Sequence, residues 1–434
     1  MDVRRAGLWA NADFMRLWIA QAVSAFGSRI TRTALPIIAV ATLRESEGIV
    51  AFLAAISLAP AAVLSLFIGG LVDRSKKRRL LVIADVARAA VIISLTIAWA
   101  CGVLSIVHVC IVGAVVGAAS ALFQIADVAY LPAVVDRGML AEGNAKLQTT
   151  EAFAEISGPA SAGVLIAALG APIAVVIDAV SYIWSAVMLG RIRAIEPPPG
   201  PDTAAISMST SMWQTTKDLK VGMRAVFGNE LVRPIVVAMI LWTASYGFFA
   251  ALYTLFCLRT LGLSQATFGL VIAMGGVGSI VGAVLARRLA GWLGVGPTIV
   301  IASVFVSLSG LCIPLARGSH ATVIGLLVAQ QLVGDGFSVV FNIHAITLRQ
   351  TVLRREVLGR ANAAITACIT GVVPFMAIAA GVLAAATSIR FAIWIGLAIP
   401  LSVPFVLWPL RKLERLPSVD LHLEAASETL RGSP

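Results

Sequence analysis

The sequence predicts an all-α membrane protein of twelve spanning helices, arranged as two pseudo-symmetric six-helix halves. Three observations carry this. Of 434 residues, 59% are hydrophobic and 13% charged, with a mean hydropathy of +0.94; a soluble domain carries about a quarter charged residues. Apolar runs recur at the length of about twenty residues that one bilayer crossing requires, without the alternation of a membrane barrel. The basic residues are also one-sided: 25 of the 33 Lys and Arg fall in segments on one side of a twelve-span reading and 4 on the other. That asymmetry places both termini in the cytoplasm.

The first-half spans are expected at 15–42, 48–72, 79–101, 105–130, 144–169 and 171–193. Spans 5 and 6 meet at Gly170-Ala171-Pro172, a very tight hairpin. A break follows at 194–230, beginning EPPPGPD, whose prolines and polar residues read as a linker. Within it, Leu219, Met223 and Val226 recur at helical spacing among Lys217, Lys220 and Arg224, the pattern of a basic amphipathic helix on the membrane surface. The second-half spans are expected at 231–258, 264–286, 296–316, 320–348, 359–385 and 389–410. The domains are then 1–193, the linker 194–230, 231–411, and a polar tail at 412–434. The halves echo each other: residues 144–163 and 362–381 both run from Asn-Ala to Ala-Gly over the same length, as parallel repeats would.

Several functions are excluded by what the motifs lack. The net charge of +11 is scattered in short clusters rather than gathered on one face, which argues against nucleic acid. No phosphate-cradling G-x-x-x-x-G-K-[ST] loop is present. GGVGSIVG at 275–282 lies inside a span, where glycines serve close helix packing. The four histidines are far apart, no nucleophile–base or metal set is visible, and the five cysteines read as small hydrophobes. No enzyme activity, cofactor or metal is expected.

The informative features are charges inside spans, where each costs roughly 2.5–3.5 kcal/mol on insertion scales. Between spans 2 and 3 stands GGLVDRSKKRR at 69–79, and Asp85 and Arg88 follow one turn apart inside span 3. A paired pattern suggests a charge network at a moving cytoplasmic interface. Asp127, Glu151, Glu155, Asp178 and Asp335 also fall within spans, and Arg29 and Arg32 share one face of span 1.

The 69–79 segment resembles the loop 2–3 signature of the major facilitator superfamily, with Gly69, Asp73, Arg74 and Arg78 matching and Lys76 replacing the usual second glycine. RLLVIADVARA (79–89), YLPAVVDRGMLAEGNAKL (130–147), DAVSYIWSA (178–186) and FNIHAITLRQ (341–350) are similar to the macrolide-efflux and enterobactin-exporter-like branch. The resemblance implies the major facilitator fold, with Asp73 capping the N-terminus of helix 11 and Arg78 pairing with Asp127. Gly158-Pro159 resembles the helix 5 signature of proton antiporters, with its flanking glycines mostly Ala or Ser. Asp335, Glu155, Glu151, Arg29 and Arg32 are then the proton-coupling candidates. Gln21, Phe26, Trp242, Tyr246, Phe249, Asn342 and His344 lie on the spans that would line the cavity. The function this implies is secondary active, proton-coupled export of an amphipathic small molecule across the cell membrane. Siderophore export and lysophospholipid flipping are the alternatives. The expected partners are a small-molecule substrate, protons and the bilayer, and the expected state is a monomer.

Overall fold

A computed structural model describes residues 8–136, 139–194, 196, 219–353 and 355–413. These residues are helical almost throughout. The long helices are α1 (Ala12–Ile37), α2 (Glu47–Arg74), α3 (Lys77–Ala100), α4 (Ile106–Val134), α5 (Leu140–Leu169) and α6 (Ala171–Gly190). They continue with α7 (Val232–Leu255), α8 (Gln265–Leu293), α9 (Val295–Gly310), α10 (His320–Val352), α11 (Arg355–Ala386) and α12 (Ile389–Leu401). The twelve expected spans are all here, and among the described residues nine helices are long and apolar enough by themselves to cross a membrane.

Local chemistry sets the ends. Asn11 caps α1, its side chain accepting from the backbone N–H groups of Asp13 and Phe14 at 3.0 Å. Asn229 does the same for the start of α7 through Leu231 and Val232. Both caps satisfy orphan amides of a first helical turn. At the other end α1 and α7 loosen into π turns, Ile38–Thr42 and Phe256–Thr260. Each closes on a left-handed residue, Arg44 (φ 57°) and Gly262 (φ 67°). That conformation is free for glycine and costs an arginine roughly 1–2 kcal/mol.

These pairs share one register. Asn11 and Asn229, Ile38 and Phe256, and Arg44 and Gly262 are each 218 positions apart. The buried faces follow: Phe14, Leu17 and Ala20 correspond to Val232, Ile235 and Ala238, and all six are closed to solvent.

The described residues form two compact units. The first contains α1–α6 together with 246–273 and 370–393, so the ends of α7, α8 and α11 belong with the first six helices. Its core packs Phe14, Leu17, Leu81, Tyr130 and Leu189 from α1, α3, α4 and α6. Gly163 of α5 and Gly269 of α8 meet backbone to backbone, leaving no room for a Cβ on either. At the same 218 register Gly381 of α11 makes room for the Cβ of Ala51 of α2. The second unit contains 219–245, 274–369 and 394–413 and packs Ile235, Ile299, Phe341, Leu348 and Leu407. In it Gly278 and Gly282 of α8 lie against the backbone of Leu332 and Gly336 of α10, the close packing expected of the glycine-rich run.

The amphipathic segment corrects an expectation. Of 212–228, residues 212–218 lie outside the described residues, while 219–227 are helical. Its apolar face is turned to protein rather than lipid. Val226 is buried with Val232, Val236, Leu353 and Ala361, and Gly222 sits on the Arg360 carbonyl and Ala364 of α11. Burying that face against α11 removes apolar area from solvent that the helix start would otherwise expose.

Candidate functional site

Three helices of the first unit present polar residues at helical spacing toward one another. With Arg88 of α3 they line a cavity of about 390 Å³. Gln21, Ser24, Ser28 and Arg32 come from α1, Ser120, Gln124 and Asp127 from α4, and Asn144, Gln148 and Glu151 from α5. Spacings of three and four keep each set on one helix face. A polar concavity inside an apolar bundle is costly unless it takes up water or ligand.

The charges of this region are organised around Arg29. Its guanidinium pairs with both Glu151 and Glu155 of α5. The arginine is 3% exposed, while the two acids are 54% and 61% exposed. One buried cation is thus held by two exposed carboxylates one turn apart. Gly158 makes the approach possible, because a Cβ there would stand 2.8 Å from the Arg29 Cβ. Arg32, three residues on, is exposed and among the described residues makes no ion pair. Asp127 accepts a hydrogen bond from Gln21 across the cavity floor. Four of the proton-coupling candidates thus divide: Arg29, Glu151 and Glu155 come together, and Arg32 stands apart from them. The side chain of Pro159 lies outside the described residues.

The other intramembrane acids divide. Asp85 is fully buried and pairs with Arg88, whose guanidinium is stacked between Phe123 and Tyr182 at 4.6 and 4.1 Å from the ring centroids. This pair sits in the α3–α4–α6 packing, and Arg88 also lines the cavity. Asp178 is buried and accepts from Thr31 and Ser181, tying α6 to α1. Asp335 of α10 places a carboxylate oxygen against Gly275 of α8.

The loop 2–3 expectations are corrected where side chains are described. Arg78 donates to the carbonyls of Ile192 and Gly190, both at 2.6 Å, and not to Asp127. Carbonyls at and just after the C-terminus of α6 carry the partial negative charge that draws a cation there. The start of α3 is capped instead by Glu196, which accepts from the amides of Lys77 and Arg78 at 2.7 and 2.9 Å. Nothing local to residue 196 signals this. Nothing beyond the helical backbone is described for Gly69, Asp73 and Arg74.

Of the remaining cavity candidates, Gln21 lines the first-unit cavity. Phe26 packs edge-on against Phe153, Trp242 against Phe341, and Phe249 stacks on Tyr253. Tyr246 and Asn342 are exposed. His344 is buried within hydrogen-bond distance, 3.0 Å, of the Ala286 carbonyl, a packing role rather than a cavity one. Sequence reasoning missed Gln124, Gln148, Ser24 and Ser28; their three–four spacing along α1, α4 and α5 was the available signal. Among the described residues no three His, Cys, Asp or Glu converge as metal ligands would.

Comparison with known proteins follows the same line. The model of the Major Facilitator Superfamily matches residues 17–373. No curated protein matches the chain. Among solved structures, the chain is similar to a bacterial homologue of the iron transporter ferroportin in its inward-facing state. That match has 16% identity and a TM-score of 0.71, and covers 95% of this chain and 100% of the other. It is similar to the nucleoside transporter NupG, with 14% identity, a TM-score of 0.68, and coverage of 92% and 98%. A bacterial homologue of the human lysosomal transporter Spinster, inward-facing and unoccupied, gives 11% identity, a TM-score of 0.65, and coverage of 94% and 99%. At these identities the likeness is one of fold.

Proposed function

We propose a transport cycle for this chain, which belongs to the Major Facilitator Superfamily and is a multi-pass membrane transporter: export of an amphipathic small molecule in exchange for protons moving inward. Residues 1–193 and 231–410 rock about a midplane cavity, in the cell membrane with both termini cytoplasmic. The observation that carries the reading is Arg29 held by Glu151 and Glu155 beside a polar cavity. Two carboxylates on one guanidinium leave one negative charge over, which a proton or a cationic group neutralises. Proton uptake by either acid leaves Arg29 paired to the other, so the site loads without stranding a buried charge. Asp335 is a second proton carrier in this scheme, and Asp73 and Arg74 gate the cytoplasmic side. Gln21, Phe26, Trp242, Tyr246, Phe249 and Asn342 contact substrate.

The test is accumulation of a lipophilic cationic dye in inside-out vesicles, with and without a protonophore. Protonophore-sensitive accumulation above vesicles lacking the protein supports the reading, and absence of accumulation opposes it. A second reading, an anionic substrate such as a siderophore or a lysophospholipid, is favoured by Arg32, which faces the same cavity without an acidic partner among the described residues.

A further inference from the structure

The second unit has a cavity of its own, about 290 Å³, between the ends of α7, α10 and α11. Its lining repeats that of the first-unit cavity at the 218 register. Met239, Ile346, Asn362, Thr366 and Ile369 stand where Gln21, Val128, Asn144, Gln148 and Glu151 stand. The charges differ. The first cavity is lined by Arg32, Arg88, Asp127 and Glu151, whose counterparts Ala250, Val306, Ala345 and Ile369 carry none, while Arg349, the one charged residue of the second lining, stands where the first has Leu131.

Arg349 is partly buried, and its Nε is closed to solvent with no hydrogen-bond partner among the described residues. No ion pair involves it among those residues. A guanidinium drawn partly out of water gains from an anionic partner. Around it stand the amides of Gln350 and Asn362 and the hydroxyl of Thr366, all able to donate. The rest of the wall is aliphatic, Met239, Ile346 and Ile369 among it. We infer that this cavity is a binding site for an oxyanion, a carboxylate or a phosphate, carrying a short apolar arm. Arg349 engages the oxyanion through its planar fork, the amides and hydroxyl take the remaining oxygens, and the arm lies on the isoleucines. The ligand is either a free amphipathic anion or the headgroup of an anionic lipid. The inference goes beyond the transport reading and is tested without turnover, so either can fail alone.

The experiment is thermal melting of the full chain in nanodiscs of zwitterionic lipid, titrated with hexyl phosphate and, as neutral control, hexanol. Hexyl phosphate raises the melting temperature saturably, and hexanol does not. Arg349→Gln removes the shift, Asn362→Ala moves half-saturation about tenfold higher, as the loss of one hydrogen bond to a charged group gives, and Arg349→Lys retains a weakened shift. Nanodiscs containing phosphatidylglycerol separate the sources. A lipid occupant already raises wild-type stability there and blunts the hexyl phosphate response, whereas a free-anion site responds alike in both lipids. No saturable shift in wild type, or an undiminished shift in Arg349→Gln, overturns the inference. If Arg349→Gln does not fold, an Asn362→Ala response equal to wild type overturns it.

Discussion

Replacing Glu151 and Glu155 by glutamine, singly and together, distinguishes a shared clamp from two independent pairs. Arg29 is buried and both acids are more than half exposed. Losing one acid removes a largely solvated interaction, worth under about 1 kcal/mol, because the other still neutralises the guanidinium. Losing both strands a buried charge, at about 3–5 kcal/mol. The double variant therefore exceeds the sum of the singles by at least about 1 kcal/mol, a coupling of the size contacting residues show. Adding Arg29→Met to the double removes the stranded charge and restores most of the loss. The assay is the melting temperature of the purified chain in detergent, followed by tryptophan fluorescence. Additive losses, or a triple variant no more stable than the double, would refute the shared clamp.

Other perturbations test neighbouring features. Arg88→Met leaves Asp85 buried without its partner and should cost about 3–5 kcal/mol, read as a fall in melting temperature that Asp85→Ala in the same chain largely reverses. Gly163→Leu forces α5 and α8 apart where their backbones touch; overpacking of about 1–3 kcal/mol should increase thiol labelling of a cysteine placed at position 166. Asp335→Asn should abolish pH-driven transport while sparing substrate exchange, and Gly275→Ala, whose new methyl displaces that carboxylate, should give a milder form of the same defect. Asp73→Asn should slow turnover with expression and melting unchanged; turnover equal to wild type would remove its gating role.

The twelve spans were legible because bilayer thickness imposes one strong pattern, long apolar runs, that composition alone reveals. The charges at this depth were legible, but not their partners: spacing alone does not choose between Arg29 and Arg32, nor does it show that Glu151 shares Arg29 with Glu155. What stayed hidden depends on side-chain reach. Arg78 turns to the carbonyls of Gly190 and Ile192, and Glu196 travels to the start of α3; neither partner is marked by spacing. The cavity walls were only half visible, since Gln124 and Gln148 sit at helical intervals that no charge singles out. The repeat was glimpsed at 144–163 and 362–381, but its full register emerged from caps, π turns and left-handed residues, features of backbone more than of identity.

That register carries a consequence for how such a chain can be recombined. In the first repeat a large side chain on α1, Arg29, fills the space left by Gly158 on α5; at the matching positions the bulk has changed sides, with Gly247 on α7 facing Met376 on α11. Knob and hole have traded owners. A transplant of α5 into the place of α11 would set glycine against glycine and open a void, while the reverse graft would drive methionine into arginine. Only the helices of a couple, moved together, keep the volume constant, so the smallest exchangeable piece at this contact is the interlocked pair rather than the single helix.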